Sequence, residues 1–240
     1  MFAEVLAHVR EDDPDRHALF ATIAVTGIRR GEAVGATWAA TDLASGALEI
    51  RQTTTRAGSK VIVKAPKSRR SRRVVPLPAA LVVILAEHRT RQDDRRRLLG
   101  ADWQDLDLVF PNDVGRYRYP DYVSTRFATY ARRAGLPHIG GPHGLRHSLA
   151  SALDANGNGL ATISALLGHA STAVTSKVYT HMLKGADRAA VDVHAATLLG
   201  DPARQGSTGT AVSTSTAEAL QADQHPDAAD PGTEEDTGVA

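Results

Sequence analysis

The apolar residues of the first 200 positions recur mostly at the three- and four-residue spacing of α-helices. This helical periodicity is found at 2–9, 17–25, 78–99, 121–134, 143–155, 160–167 and 186–199. Three shorter segments, at 46–53, 60–66 and 71–77, are β-branched and bounded by Gly, Ser or Pro, which is typical of strands. The pattern predicts a mainly α-helical fold with a small three-stranded antiparallel β-sheet.

Residues 201–240 differ from the preceding chain in composition. They are rich in Ala, Ser, Thr, Gly, Pro and acidic residues and contain almost no large apolar side chains. Such a segment cannot bury enough surface to offset the entropy that is lost on ordering. We therefore predict one folded domain at 1–200, followed by a disordered acidic tail at 201–240.

The net charge of +1 conceals an uneven distribution of charge. The tail holds one basic residue and eight acidic ones, so residues 1–200 carry 27 Lys and Arg against 19 Asp and Glu, a net charge of +8. A basic domain suits a phosphate-bearing partner such as nucleic acid, although a solvated protein surface gives the same count.

Several classes of protein are excluded by what the sequence lacks. The chain has no cysteine, which excludes disulfides and Cys-based zinc or iron–sulfur sites. Its first 13 residues are too short and too charged for a signal peptide, and no apolar run reaches the roughly 18 residues of a membrane span. We expect a soluble cytoplasmic protein with no membrane partner.

The segment GPHGLRHSLA, at 141–150, places three polar residues on one side of a predicted helix, because His143, Arg146 and His147 are spaced i, i+3 and i+4. A solvated helix face explains the same spacing. A His-x-x-x-His pair also suits zinc, but Arg146 would lie beside the cation and no Glu occupies the position of a zinc hydrolase's base. We therefore predict no metal site here.

Two other segments carry basic side chains at predicted turns. In VTGIRRGEAVGATW, at 25–38, an apolar helix ends at Gly27, two arginines follow, and Glu32 is placed to orient one guanidinium by a paired hydrogen bond. In KAPKSRRSRRVVPL, at 64–77, a basic turn joins two strands. Taken alone, the first segment is an ordinary helical corner and the second a solvated hairpin tip.

Tyr179 lies among mostly polar neighbours in the segment LLGHASTAVTSKVYTHM, at 166–182, which is unusual for a buried ring. This placement favours a role for the hydroxyl. Two guanidiniums, a lysine, two imidazoles and a tyrosine, with no carboxylate cluster to hold Mg²⁺, suit phosphoryl transfer from a phosphodiester without a metal or other cofactor. Tyr179 would then be a covalent nucleophile.

In order and spacing, TGIRRGE, the lysine of PKSRRSRRVVPL, HGLRH, LGHAS and VYTH resemble the catalytic domain of the tyrosine recombinases, the phage-integrase family. The resemblance covers about residues 1–198. It implies the fold of the DNA breaking-rejoining enzymes and an activity in DNA integration or recombination, with double-stranded DNA as partner. It also implies a homo-tetramer that exchanges strands between two duplexes.

The resemblance implies a role for six residues. Arg29, preferred to Arg30 by the family pattern alone, and Arg146 would bind the phosphate, and His143 would assist proton transfer. Lys67 would be the general acid toward the 5′ leaving oxygen, although Lys64 and several arginines lie close by. The remaining two roles fall to His169, which would hydrogen-bond the scissile phosphate, and to Tyr179, which would form a 3′-phosphotyrosine link without consuming ATP.

The chain departs from the family at its amino-terminal side. Relatives place a helical core-binding domain upstream, whereas Arg29 lies 28 residues from Met1, so we expect that domain to be absent. A non-catalytic DNA-binding remnant that modulates a full-length recombinase, or a type IB topoisomerase-like enzyme, therefore remain alternatives. The apolar stripe at 186, 189, 190, 193, 196 and 199 fits packing on the same chain or on a neighbouring protomer.

Overall fold

Helices dominate the part of the chain that the computed structural model describes, which is residues 1–65, 72–139, 141–155, 159–167 and 186–200. Short 3₁₀ turns at Trp38–Ala40 and Gly100–Asp102 accompany them. The helices in these ranges are α1 (Phe2–Asp12), α2 (Pro14–Thr26), α3 (Arg30–Ala33), α4 (Ala79–Leu99), α5 (Pro120–Arg133), α6 (Pro142–Ala155), α7 (Leu160–Leu167) and α8 (Ala186–Leu199).

The strands form two small antiparallel sheets. The first has the order β1-β2-β5 and consists of β1 (Thr41–Asp42), β2 (Ala47–Glu49) and β5 (Val74–Pro76). The second is a hairpin of β3 (Thr53–Ala57) and β4 (Lys60–Lys64), paired from Thr53 with Lys64 to Ala57 with Lys60. The mainly helical architecture with small antiparallel sheets is therefore confirmed.

The sheets differ from the prediction in two respects, because strand β1 was not predicted and the three predicted segments do not form a single sheet. The predicted strand at 46–53 is interrupted after Glu49, and the chain then passes into the hairpin, so the predicted strand at 60–66 pairs there and not with β5. The interruption follows from packing, because Thr54 is buried and its hydroxyl donates to the Gly31 carbonyl of α3 at 3.1 Å. This contact holds the start of β3 against α3, away from the three-stranded sheet.

The core is built around α2, which is buried from His17 to Thr26. The segment HALFATIAVT is apolar around most of the helix, and a helix of this kind is stable only when other elements surround it. Helices α1, α4, α6 and α8 all pack on α2. Phe20 also meets Phe127 of α5 edge to face, with ring centroids 5.2 Å apart. Asp13 caps the amino-terminal end of α2 by accepting from the Arg16 N–H at 2.8 Å.

Helix α8 packs on α1, α2, α4 and α6 of the same chain. Among the side chains of α8 that the structure describes, Val191, His194, Ala195 and Leu199 are buried. Of the predicted stripe, Leu199 is therefore buried, whereas Ala189, Val193 and Ala196 are exposed. The apolar pattern did not include His194, which takes a buried position. Burial lowers the pKa of His194, with a backbone hydrogen bond to Ala24 opposing it, and the neutral ring therefore suits the interior.

The predicted tail at 201–240 lies outside the described residues. None of the helices in the described ranges combines the length and the apolar character that crossing a membrane requires.

Candidate functional site

The turn that follows α2 brings three elements together. Gly27 ends the helix with φ 64°, and its N–H donates to the Ile23 carbonyl at 2.9 Å. A Cβ at this position would lie 2.5 Å from Cδ2 of Leu167 and 2.8 Å from Cδ2 of Leu149. Two features therefore favour glycine at this position, namely the left-handed backbone and the close approach of leucine side chains from α6 and α7.

Arg29 and Arg30, which begin the next segment, have different partners. The Arg29 backbone N–H donates to Oε2 of Glu32 at 2.8 Å and its Nη1 donates to Oε1 at 2.9 Å, and the side chain stays 45% exposed. Arg30 instead pairs with α5, through Oγ of Ser124 at 2.7 Å and Oδ1 of Asp121 at 3.1 Å. Of these two arginines, Arg29 is the one that contacts Glu32, with one hydrogen bond from Nη1 and one from its backbone N–H.

Arg73 is the residue of this cluster that the sequence analysis missed. Its side chain is 1% exposed, and Nη1 and Nη2 donate to Oε1 and Oε2 of Glu32 at 3.0 and 2.8 Å. Its Nε donates to the Leu166 carbonyl at 3.0 Å. Strand alternation could have revealed it, because Arg73 shares one face with the buried residues Val75 and Leu77, but the surrounding charge run indicated a solvated turn.

Glu32 is the buried carboxylate at the centre of the cluster. Burial raises its pKa, but hydrogen bonds and charge from Arg73, supported by Arg29, outweigh burial and hold the pKa below its ordinary value. Glu32 therefore remains ionised and keeps both arginines in place at neutral pH.

Arg146 of α6 reaches the same cluster from the opposite side of the Gly27 turn. It is buried, with Nη1 donating to the Gly27 carbonyl and Nη2 donating to the Leu167 carbonyl. Burial, followed by the charges of Arg29 and Arg73, lowers the pKa of Arg146 to about 10, with Glu32 opposing the shift. Arg146 is still a cation at pH 7, so the cluster sets three guanidiniums against one carboxylate, a balance that favours an anion.

His143 and His147 lie on the exposed side of α6, whereas Arg146 is buried. Their ring centroids are 4.5 Å apart and the rings are nearly perpendicular. The expectation that all three side chains share one face is therefore wrong for Arg146, because its guanidinium is drawn to the Gly27 and Leu167 carbonyls. Among the described residues, no group of three or more His, Asp or Glu side chains is placed to hold a metal.

The other three site residues that the sequence predicts, Lys67, His169 and Tyr179, lie outside the described residues. The structure describes the chain on either side of each. Lys67 falls between β4 and β5, His169 falls two residues after the end of α7, and Tyr179 falls seven residues before α8. The buried arginines are thus bonded to the end of the helix that leads to His169.

Comparison with known proteins gives a match to the phage integrase family over residues 3–185. A tyrosine recombinase XerC-like protein of Caldanaerobacter subterraneus subsp. tengcongensis is 31% identical over 178 residues, which are 69% of this chain and 45% of that protein. An integrase of Streptomyces ambofaciens is 36% identical over 125 residues, 49% of this chain and 31% of that protein. The chain thus spans less than half the length of either relative.

Among solved structures, the Tn1549 transposon integrase in complex with transposon right-end DNA has a similar fold. The TM-score is 0.60 at 15% sequence identity, and the similarity covers 75% of this chain and 61% of the integrase chain. At this identity the likeness concerns the fold.

Proposed function

The chain belongs to the phage integrase family, and we propose that it is an integrase-type, site-specific DNA recombinase that cleaves and rejoins strands through a 3′-phosphotyrosine intermediate. The observation that carries the proposal is the cluster of Arg29, Arg73 and Arg146 around Glu32. Of the three, Arg29 has an exposed side chain, at 45%, which supports it as the arginine that binds a DNA phosphate.

In the proposed reaction, the Tyr179 oxygen attacks the scissile phosphorus and forms a phosphotyrosine bond while the bond from phosphorus to the 5′ oxygen breaks. Arg29 would bind a non-bridging oxygen directly, and Arg146 would add positive charge from its buried position. His143, which is exposed on α6, would assist removal of the tyrosine proton. Lys67 would protonate the leaving 5′ oxygen and His169 would hydrogen-bond the phosphate.

The covalent link retains the free energy of the phosphodiester, so rejoining requires neither ATP nor another cofactor. The Tn1549 integrase structure contains transposon-end DNA, which supports double-stranded DNA as the partner of this chain too. We further propose a homo-tetramer on paired sites, because a strand can be joined to a new partner only where two cleaved duplexes are held together.

A covalent trapping assay tests the proposal. The full chain is incubated with supercoiled DNA that carries the sequences flanking its own gene, and the mixture is denatured in detergent. We expect a protein–DNA adduct that disappears in Tyr179→Phe. Arg29→Ala should reduce adduct formation by about 10²–10³-fold, as loss of one charge-stabilising donor does in other enzymes. The neighbouring Arg30→Ala variant is the matched control and should retain most of the activity.

A second candidate function is a non-catalytic DNA-binding protein that modulates a longer recombinase. The observation that favours it is the burial of Arg146, whose guanidinium donates to the Gly27 and Leu167 carbonyls of the protein itself. This function predicts DNA binding by folded protein with no adduct, both for the chain alone and after a core-binding domain is supplied as a separate protein. Adduct formation in either case would support the recombinase.

A further inference from the structure

Arg73 stands out because its side chain is almost fully buried, at 1% exposure, and yet lies in a basic segment of the sequence. All three of its guanidinium nitrogens donate to acceptors of other elements. Two bind the carboxylate of Glu32 on α3, and the third binds the Leu166 carbonyl on α7. One side chain thus joins the approach to β5, the α3 turn and the end of α7.

The contact with Glu32 determines where Arg29 can lie. Each carboxylate oxygen of Glu32 accepts one hydrogen bond from Arg73 and one from Arg29, at distances of 2.8–3.0 Å. Because the paired hydrogen bonds from Arg73 fix both the position and the plane of the carboxylate, they also fix the acceptors for Arg29. Without Arg73, the Glu32 side chain could rotate and carry the Arg29 guanidinium with it.

The contact with Leu166 acts on the segment that leads to His169. The last carbonyls of a helix have no partner within the helix. Here Arg73 binds the Leu166 carbonyl and Arg146 binds the Leu167 carbonyl, at the negative end of α7. Two cations therefore hold the end of α7 immediately before the segment that contains His169.

We propose that Arg73 is a positioning residue for strand cleavage, which holds the Arg29 guanidinium through Glu32 and the end of α7 through the Leu166 carbonyl. This inference rests on the proposed recombinase function. A contribution to folding stability is a weaker explanation for the buried pair of Arg73 and Glu32. A buried ion pair often adds little or nothing to stability relative to apolar side chains of the same volume, whereas it does fix the geometry of its partners.

The first test is the Arg73→Lys variant of the full chain in the covalent trapping assay. Lysine keeps the charge but cannot form the paired contact with Glu32 and the bond to Leu166 together. We expect adduct formation to slow by about 10–100-fold, since a displacement near 1 Å in an active site has effects of this size. Affinity for DNA should stay within about twofold, because Arg73 is buried and does not reach the DNA.

Arg95→Lys is the matched control. Arg95 also pairs with a carboxylate, Asp15, with Nη2 and Oδ2 2.6 Å apart. Asp15 lies in the first turn of α2 and Gly27 follows its last residue, so this pair lies about 18 Å from the turn at the helical rise of 1.5 Å per residue. The control should cleave DNA at the unchanged rate, and equal losses in the two variants would contradict a positioning role.

A pH profile provides a readout that a merely structural role would not change. Among the described residues, the charged groups that act on Glu32 are Arg29, Arg73 and Arg146. With Arg73→Met, the carboxylate loses its main stabilising partner, so its pKa rises and it is protonated at a higher pH. Cleavage by this variant should then fall at a higher pH, on the acid side, than cleavage by the unchanged chain. Identical profiles would refute the proposal.

Failure of the inference can be told apart from failure of the proposed function. If the unchanged chain forms no adduct, the recombinase function fails. Crystal structures of the chain and of the Arg73→Lys variant then test, without any activity, whether Arg73 holds its two neighbours in place. The inference requires the Arg29 guanidinium and the end of α7 to move in the variant. If both stay in place, or if Arg73→Lys cleaves at the unchanged rate, Arg73 is not a positioning residue.

Discussion

Substitution of Gly27 by alanine tests how the turn beside the arginine cluster is supported. Gly27 has φ 64°, a conformation that side-chain-bearing residues rarely adopt, and its carbonyl accepts the hydrogen bond from Arg146. The added Cβ would approach Cδ2 of Leu167 at 2.5 Å and Cδ2 of Leu149 at 2.8 Å, so these side chains of α7 and α6 would have to repack. Backbone strain and overpacking therefore act together at one position.

The expected decrease in the free energy of unfolding is the sum of these two contributions. A left-handed backbone costs an alanine about 1–2 kcal/mol, and overpacking of a well-packed core costs typically about 1–3 kcal/mol. We expect Gly27→Ala to lower the free energy of unfolding by about 2–5 kcal/mol. Adduct formation should fall as well, because relief of the backbone strain at residue 27 moves its carbonyl, to which Arg146 is bonded.

Urea denaturation, with Gly58→Ala as the matched control, checks this prediction. Gly58, in the turn between β3 and β4, has φ 59°, and nothing lies within 4 Å of the position of its Cβ. The control therefore experiences the backbone strain without the overpacking, and should lose only about 1–2 kcal/mol. Equal losses in the two variants would refute the argument that α6 and α7 press on the Gly27 turn.

Three further predictions concern charged groups in and near the core. Burial raises the pKa of Asp15, but hydrogen bonding and charge from His88 and two arginines outweigh burial and hold the pKa below its usual range. Asp15→Asn should therefore lower the free energy of unfolding by about 1.5–3 kcal/mol at pH 7. In urea titrations, this difference between the two proteins should shrink below roughly pH 4. Burial, with two nearby arginines, lowers the pKa of His17 to about 4 from 6.5. The free energy of unfolding should thus decrease by up to about 3 kcal/mol as the pH falls through that interval, and His17→Gln should flatten the decrease. Arg30→Ala breaks an exposed pair with Asp121 and should change the free energy of unfolding by less than about 1 kcal/mol in thermal denaturation, so a larger loss would contradict its assignment as a surface residue.

Helical periodicity predicted most of the fold because the helices bury large aliphatic faces. The bounds of α7 and α8 are those that the pattern predicts, and the other long helices differ by a few residues at their ends. The sheet was less predictable, since strands of two to five residues carry little periodic signal. What divides the strands between two sheets is the packing of Thr54 on Gly31, a contact between residues 23 apart in sequence.

The candidate site was predictable where a motif marks it. The segments TGIRRGE and HGLRH predicted Arg29 and Arg146 as site residues, and the structure brings both to the Gly27 turn. Residue patterns placed Glu32 near two arginines but could not tell Arg29 from Arg30, because that choice depends on Asp121 of α5. The catalytic roles of Arg29, Lys67, His143, Arg146, His169 and Tyr179 remain predictions.

Sequence reasoning misses the burial of two arginines, Arg146, which a motif marks, and Arg73, which none marks. Arginine is expected at the surface, yet Arg73 and Arg146 are buried because carbonyls at the Gly27 turn and at the end of α7, together with Glu32, replace the water that their guanidiniums lose. The positive charge is not neutralised, since one carboxylate faces three guanidiniums, and burial together with repulsion from Arg29 and Arg73 lowers the pKa of Arg146. A phosphodiester bound at Arg29 would offset this repulsion. In the proposed reaction, the cluster would therefore favour an anion, and would favour it more strongly as the phosphate becomes more negative under attack.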